Sequence, residues 1–396
     1  MTRWLEPGLL PFLLLLAILP FPGTVALRLL CLAAAFVYAI YMWKRVAVPP
    51  IPFKPALVVW ALVALASLAY AVDPAYSLSE IKNELLYTMM IFTAFFVLAS
   101  DERRMKAMLL ALAAGVLVLC VWALAARFTQ GGWNVSGGHG GVGSFAAYLV
   151  AVVPVITLLG FYFEDRRLRW LAFVLLGLLL VTGFFSLQRI IWPVLFLQFS
   201  VGLFIFRKAL GFSLPRVVFV VVMSLLLATT GLIISQVNRY NENPVPGLVM
   251  ENDTRLVFWP KVAERVLERP LIGAGFGRAA MNKAHADLIP RTNTLFWHGH
   301  NVVLNYGLAM GIPGMLALLV VFGALLREYG RFARLGDRPL RMIGVCGIAL
   351  TLGVFSRNMV DDFFVRDQAL LFWALNGILL GIGSRQYRQL RRLDVK

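Results

Sequence analysis

Long apolar runs separated by short polar breaks dominate the chain. A bilayer core of about 30 Å is crossed by about 20 apolar residues in helix. Within lipid the backbone must satisfy its own polar groups, so runs of this length read as helices. Twelve such runs fall near 6–22, 24–43, 55–72, 84–100, 106–127, 142–163, 168–186, 189–206, 215–235, 301–326, 341–359 and 367–384. The seventh and eighth are parted only by Leu187 and Gln188 beside Arg189. The first run reads as a membrane span, because no small-x-small cleavage site follows it at a signal-peptide distance. The pattern therefore predicts an all-α integral membrane protein of about twelve transmembrane helices. It divides into helices 1–9 over 1–235, a partly helical polar loop over 236–300, and helices 10–12 with a basic tail over 301–396.

Composition agrees with this reading. The 396 residues are 60% hydrophobic and 14% charged. A soluble domain is about 45–50% apolar and about 25% charged, and its surface could not hide such an excess. The net charge of +17 would elsewhere suggest a nucleic-acid partner. Here the positions of the charges say otherwise. With the N-terminus in the cytoplasm, 23 of the 37 Lys and Arg fall in cytoplasmic segments, 6 in short opposite-side segments and 8 in the long loop. This is the positive-inside signature, with both ends cytoplasmic and the loop 236–300 on the outer, periplasmic face. Cys31, Cys120 and Cys346 lie far apart inside apolar runs and read as small buried hydrophobes.

Long loops in compact proteins often carry function, and all four histidines, His139, His285, His298 and His300, fall on the outer face. Asp253 or Thr254 is a good cap for a helix running to Arg269. Phe258, Trp259, Val262, Val266 and Leu267 give that helix one apolar face, as in a surface-lying amphipathic helix. Its charges, Arg265 among them, also suit a solvated face with weak ion pairs. Pro270-x-x-Gly273-x-Gly275-x-Gly277 allows close backbone approach; it lacks the lysine and spacing of a nucleotide loop, and a tight turn packed on the bundle is the simpler account. His298-Gly299-His300-Asn301 stands immediately before the tenth span. Histidine can act as base or acid near neutral pH. A metal needs three or four ligands, His-x-His supplies two, and no carboxylate is close in sequence, so no metal is expected. Arg189, at an outer edge between two helices, suits either an anionic ligand or a snorkelling role. The glycine-rich stretch 131–141 reads as an outer loop, with His139 a loop residue. Asp361 and Asp362, with Arg357 and Arg366, read as an interfacial ion network.

Taken together, Arg189 near Trp192, Arg255-x-x-x-Trp259, Pro270-x-x-Gly273-x-Gly275, His298-x-His300-Asn301 and the following Gly307, Gly311 and Gly314 resemble the bacterial O-antigen ligase, polymerase and O-oligosaccharyltransferase superfamily. The resemblance implies a GT-C-like membrane glycosyltransferase of the inner membrane. Such an enzyme moves a glycan from undecaprenyl diphosphate to an acceptor on the periplasmic side, without a metal or other cofactor. In a ligase the acceptor is lipid A–core and the product is lipopolysaccharide; in a polymerase two lipid-linked glycans are joined. The loop is short for a protein-glycosylating member. The resemblance implies His300 or His298 as base, with Arg255 in the catalytic set. Arg189, Arg255 and Arg265 are candidates for the diphosphate, which arginine clamps bidentately. Trp259, Asn301, Gly273 and Gly275 are supporting residues. Displacement from the face opposite the diphosphate would invert the anomeric centre. A twelve-span transporter or flippase is the alternative outside this class, but mid-span charges are scarce and no internal repeat is visible.

Overall fold

The computed structural model describes residues 6–129, 140–207, 213–242, 254–289 and 297–393. Within them the regular structure is helical, with no strand. Residues 131–139 of the predicted outer loop 131–141, His139 among them, the candidate cap Asp253, and Thr294–Phe296 lie outside the described residues. In chain order the helices are α1 (Leu10–Ile18), α2 (Val25–Trp43), α3 (Lys54–Ala66), α4 (Pro74–Glu80), α5 (Tyr87–Leu98), α6 (Glu102–Thr129), α7 (Val142–Tyr162) and α8 (Arg166–Phe185). They continue as α9 (Ile191–Phe206), α10 (Leu214–Glu242), α11 (Thr254–Glu268), α12 (Ala280–Ala284), α13 (Val302–Ala333), α14 (Arg338–Asn358) and α15 (Arg366–Leu393).

Eight helices among the described residues are long and apolar enough to cross a membrane: Pro22–Trp43, Pro74–Leu98, Glu102–Thr129, Val142–Tyr162, Arg166–Phe185, Leu214–Gly231, Val302–Ala333 and Arg338–Asn358. Pro7–Ile18, Lys54–Tyr70 and Ile191–Phe206 are apolar but shorter. The chain is thus a multi-helix membrane protein. The run predicted at 367–384 falls in α15, which is less apolar than the others for a packing reason. Every residue from Ala369 to Ser384 is buried, including Asn376, whose Oδ1 accepts from the Tyr329 hydroxyl at 2.7 Å. A helix enclosed by protein on all sides can carry such groups, because its neighbours and not lipid receive them. Gly377 and Gly381 let α15 press on α5: a Cβ at either would stand 2.6 Å from the carbonyl oxygens of Phe92 and Phe96. Trp373 fills the centre between Trp60, Phe92 and Phe372. Arg385 then donates to the carbonyls of Phe96, Val97 and Ala99, satisfying the C-terminal end of α5.

The span predicted at 84–100 begins earlier, at Pro74, where the Asp73 side chain accepts the Tyr76 N–H. A π-helical stretch, Ile81–Leu86, joins α4 to α5, and Glu80 and Glu84 are both buried. At one end of the bundle the basic segments find acids: Arg104 with Glu6, Lys106 with Asp165, and Arg338 with Glu164. The opposite end holds residues 297–300.

α13 is broken near that opposite end, and the break explains the glycine-rich segment. Gly311 has φ +69° and Pro313 has no N–H, so the carbonyls of Leu308 and Ala309 lose their helical donors. The segment after α11 supplies replacements. Ala274 N–H donates to Leu308 O and Gly275 N–H to Ala309 O, both at 2.9 Å. The displaced Ile312 N–H donates to Pro270 O at 2.7 Å. This exchange needs backbone contact. A Cβ on Gly273 would lie 2.3 Å from the Ala309 carbonyl carbon, and Gly275 sits at φ +103° against Ala71 and Ser77. The tight-turn account of this segment therefore holds. α11 is amphipathic, with Phe258, Val262 and Val266 buried against α13; Leu267, expected on that apolar face, is exposed, as is Val257.

Candidate functional site

The site is built around one turn, His298-Gly299-His300, at the start of α13. Gly299 is gripped from two sides. Its N–H donates to Asn305 Oδ1 at 2.7 Å, and its carbonyl accepts from the Trp259 indole at 3.0 Å. Asn301 caps α13: its Oδ1 accepts from the backbone of Val303 and Leu304, and its amide donates to Met359 O. These anchors hold His300 at φ +46°, a left-handed conformation that costs energy for a side chain of this kind. The two imidazoles stack with centroids 4.0 Å apart.

Their hydrogen bonds distinguish the two histidines. His298 Nδ1 accepts the backbone N–H of His300 at 3.1 Å, so its ring proton resides on Nε2. Burial, reinforced by the charges of His300, Arg278 and Arg255, pushes the His298 imidazole down to about 2. It is therefore a neutral donor. His300 Nδ1 lies 2.8 Å from Asp361 Oδ1. Burial works to raise that carboxyl, but the His300 hydrogen bond and the charge of Arg357 outweigh it and hold Asp361 down at about 2. An ionised carboxylate only accepts, so Nδ1 of His300 carries a proton; in the neutral tautomer this bond selects, Nε2 is the acceptor. This is the arrangement of a histidine base oriented by an acid.

Asp361 thus corrects the reading of the Asp361–Asp362 pair as an ion network alone. Arg357 does approach Asp361, at 3.9 Å, but the carboxylate's short bond is to His300. Asp362 performs a separate task. Its carboxylate takes the Asn305 amide at 2.5 Å and the Phe364 N–H at 3.1 Å, and burial pushes its carboxyl up. Arg278, which closes the glycine-rich segment, donates to the Asp362 carbonyl at 2.6 Å and lies over the Trp297 ring at 4.8 Å. Sequence reasoning named Asp361 only as part of an ion network, and gave Asn305 and Arg278 no role in the site.

The predicted arginines divide. Arg255, in the first turn of α11, is close enough for its charge to act on both His298 and Arg357. Arg265 is ten residues further along the helix, about 15 Å away at 1.5 Å per residue. There it pairs with Glu268 at 2.9 Å and Asp287 at 2.5 Å. His285 lies in that same company. Arg189 is half-buried in the turn between α8 and α9. Gly183 at the end of α8 faces Leu149 and Ile191, which puts this turn at the same end of the bundle as Gly143, whose carbonyl accepts from Arg357.

One group of three possible metal ligands exists among the described residues: His298, His300 and Asp361, with ligand atoms within 4.8 Å of one another. As they stand, His298 Nδ1 and His300 Nδ1 are both engaged within the group. A cation would have to displace those bonds against the charges of Arg255 and Arg278.

The family model described as O-antigen ligase matches residues 178–319, about a third of the chain. Over that stretch the chain is similar to the O-antigen ligase family. The matched stretch runs from within α8 into α13 and contains Arg189, Arg255, Gly273, Gly275, His298 and His300; Asp361 and Asp362 lie beyond it. No curated protein matches the chain.

Proposed function

We propose that this protein is an O-antigen ligase of the bacterial inner membrane. It moves a glycan from undecaprenyl diphosphate to lipid A–core on the periplasmic side, through twelve spans of GT-C-like architecture with both termini cytoplasmic. The gathering of basic segments at the end opposite the histidines supports this orientation. The family match supports ligase- or polymerase-type chemistry. The observation that carries the mechanism is the His300–Asp361 pair, which leaves one imidazole nitrogen able to accept a proton.

In this mechanism the acceptor hydroxyl donates its proton to His300 Nε2 as its oxygen bonds to the anomeric carbon. The bond from that carbon to the diphosphate oxygen breaks, and the electron pair leaves with the diphosphate. Positioned proton transfer contributes about 10²–10⁴-fold. Arg255 and Arg189 receive the growing negative charge, each such donor contributing about 3 kcal/mol in a preorganised site. His298 stays neutral and donates from Nε2. Asp361 orients His300 and stabilises the imidazolium that forms. Attack opposite the diphosphate inverts the anomeric centre. No step calls for a metal or a nucleotide sugar.

The test is transfer by the purified full-length protein from lipid-linked glycan to lipid A–core. Arg255→Ala and His300→Ala should each retain the parent fold and lose at least about 100-fold in rate. Variants that transfer at the parent rate would refute the assignment. A product in which the glycan is lengthened on its lipid carrier would make the protein a polymerase.

A further inference from the structure

Beside the histidine turn lies a small cavity that the proposed chemistry does not use. Glu84, Arg278, Asn305, Tyr306 and Asp362 supply its polar lining, and Phe276 and Phe364 part of its apolar wall. It has room for about one water-sized group and is partly open. The polar groups come from four separate parts of the chain: the π-helical stretch before α5, the glycine-rich segment, the first turn of α13, and the turn before α15. Glu84, Asn305 and Asp362 are all more than nine-tenths buried.

Buried ionisable groups in a membrane domain are expensive and tend to mark function. The balance of groups here indicates what the cavity wants. Glu84 and Asp362 share the lining with the Arg278 guanidinium, and Glu84 hydrogen-bonds Glu80 behind it. Arg278 has already committed one nitrogen to the Asp362 carbonyl. The Glu84–Glu80 hydrogen bond needs a shared proton, so the lining offers both donors and acceptors, and its complement is a small neutral group bearing an O–H. The π-helical stretch turns Glu84 toward this space, and such distortions occur often at functional sites. The cavity is also coupled to the reaction turn. Asn305 lines it and holds the Gly299 N–H between the two histidines, and Asp362 adjoins the residue that orients His300.

We infer that the cavity lined by Glu84, Arg278, Asn305 and Asp362 is a socket for a single sugar hydroxyl, which registers the sugar ring against His300. The inference rests on the glycan-transfer reading above. A hydroxyl on the acceptor's terminal sugar and one on the donor's first sugar share this chemistry.

The experiment uses the full chain in lipid nanodiscs, with donor and acceptor each offered intact and as a series lacking one hydroxyl at a time. For the parent protein, one deoxygenation should lower kcat/KM roughly 10- to 100-fold, because it removes the hydrogen bonds that the socket's polar lining makes to that hydroxyl. Glu84→Ala should be slow on intact substrate and indifferent to that same deoxygenation. The series in which the effect occurs, acceptor or donor, identifies the sugar. Glu84→Gln preserves shape and, with an unchanged thermal midpoint, should show the same indifference in weaker form. If parent and Glu84 variants respond alike to every deoxygenation, the socket is overturned while transfer stands. If the parent performs no transfer, the functional reading fails. The socket is then judged by saturation-transfer NMR with methyl glucoside and methyl galactoside. Binding that Glu84→Ala abolishes sustains it, and absence of binding to the parent overturns it.

Discussion

Asp361→Asn is the sharpest perturbation of the proposed chemistry. The replacement is nearly isosteric, so packing against Arg357 and the α14–α15 turn is retained. What changes is the partner of His300 Nδ1, now a neutral amide at the position of a carboxylate 2.8 Å away. Two effects set the size of the loss. The first is the charge-assisted hydrogen bond to the imidazolium that forms during transfer. Such bonds contribute about 1.5–3 kcal/mol, or about 10- to 150-fold in rate. The second is the tautomer. If the asparagine presents its NH2 group, His300 Nδ1 becomes the acceptor and Nε2 holds the proton, so the base is lost; the equivalent change in a serine protease triad costs about 10⁴-fold. The expected fall in kcat therefore lies between about 10-fold and 10⁴-fold. KM for the lipid-linked donor should change little, because Asp361 acts through His300 and is not among the groups proposed to hold the diphosphate. Single-turnover transfer by purified protein, with thermal unfolding as the check on folding, measures both quantities. Asp361→Asn within twofold of the parent kcat would refute the oriented-base mechanism, whatever the fate of the arginine assignment.

Three further outcomes are expected. His298 is held near 2 when folded but takes up a proton near 6.5 when unfolded, so the unfolded state binds more protons as pH falls. Its contribution is fully present above about pH 6.5 and lost below it, by about 2 kcal/mol at pH 5; denaturation of the detergent-solubilised protein should show this slope, and His298→Gln should remove it. Gly273→Ala forces a methyl to 2.3 Å from the Ala309 carbonyl carbon and should destabilise by about 2–4 kcal/mol, whereas Gly336→Ala, with nothing within 4 Å, should move the unfolding midpoint by less than a degree or two. Transfer should proceed unchanged in EDTA, and a loss of activity restored by a divalent ion would recast His298, His300 and Asp361 as ligands.

The positions of the helices were legible because hydropathy is a local signal. The predicted run 24–43 is met by Val25–Trp43, and 142–163 by Val142–Tyr162. The start of the fourth run was not legible, because Glu80, Lys82 and Glu84 look like a polar boundary. Only the fold discloses that both acids turn inward. Much of the histidine turn was also legible: His298, His300, Asn301 and Trp259 do converge. The pairing of Asp361 with His300 was not, since 61 residues separate them and no spacing rule links them. Arg265 shows the converse. Its place beside Arg255 in sequence suggested a shared task, but helical rise separates them and Asp287 claims the guanidinium.

The broken helix ties these observations into one device. A continuous α13 would have satisfied Leu308 and Ala309 within itself and left the glycine-rich segment without a seat. Gly311 and Pro313 release those carbonyls, and Ala274 and Gly275 take them up. That docking fixes Phe276, Gly277 and Arg278 in turn, and Arg278 reaches Trp297 and the Asp362 carbonyl. One helical break thereby sets the two walls of the site, the histidine turn from α13 and the acidic turn before α15, in a single register. It follows that Gly273→Ala should impair transfer more than its loss of stability accounts for. At a temperature where the folded fraction is still near one, kcat should already be reduced. An activity that simply tracks the folded fraction would mean that the segment is a brace for the bundle and that the histidine turn keeps its register without it.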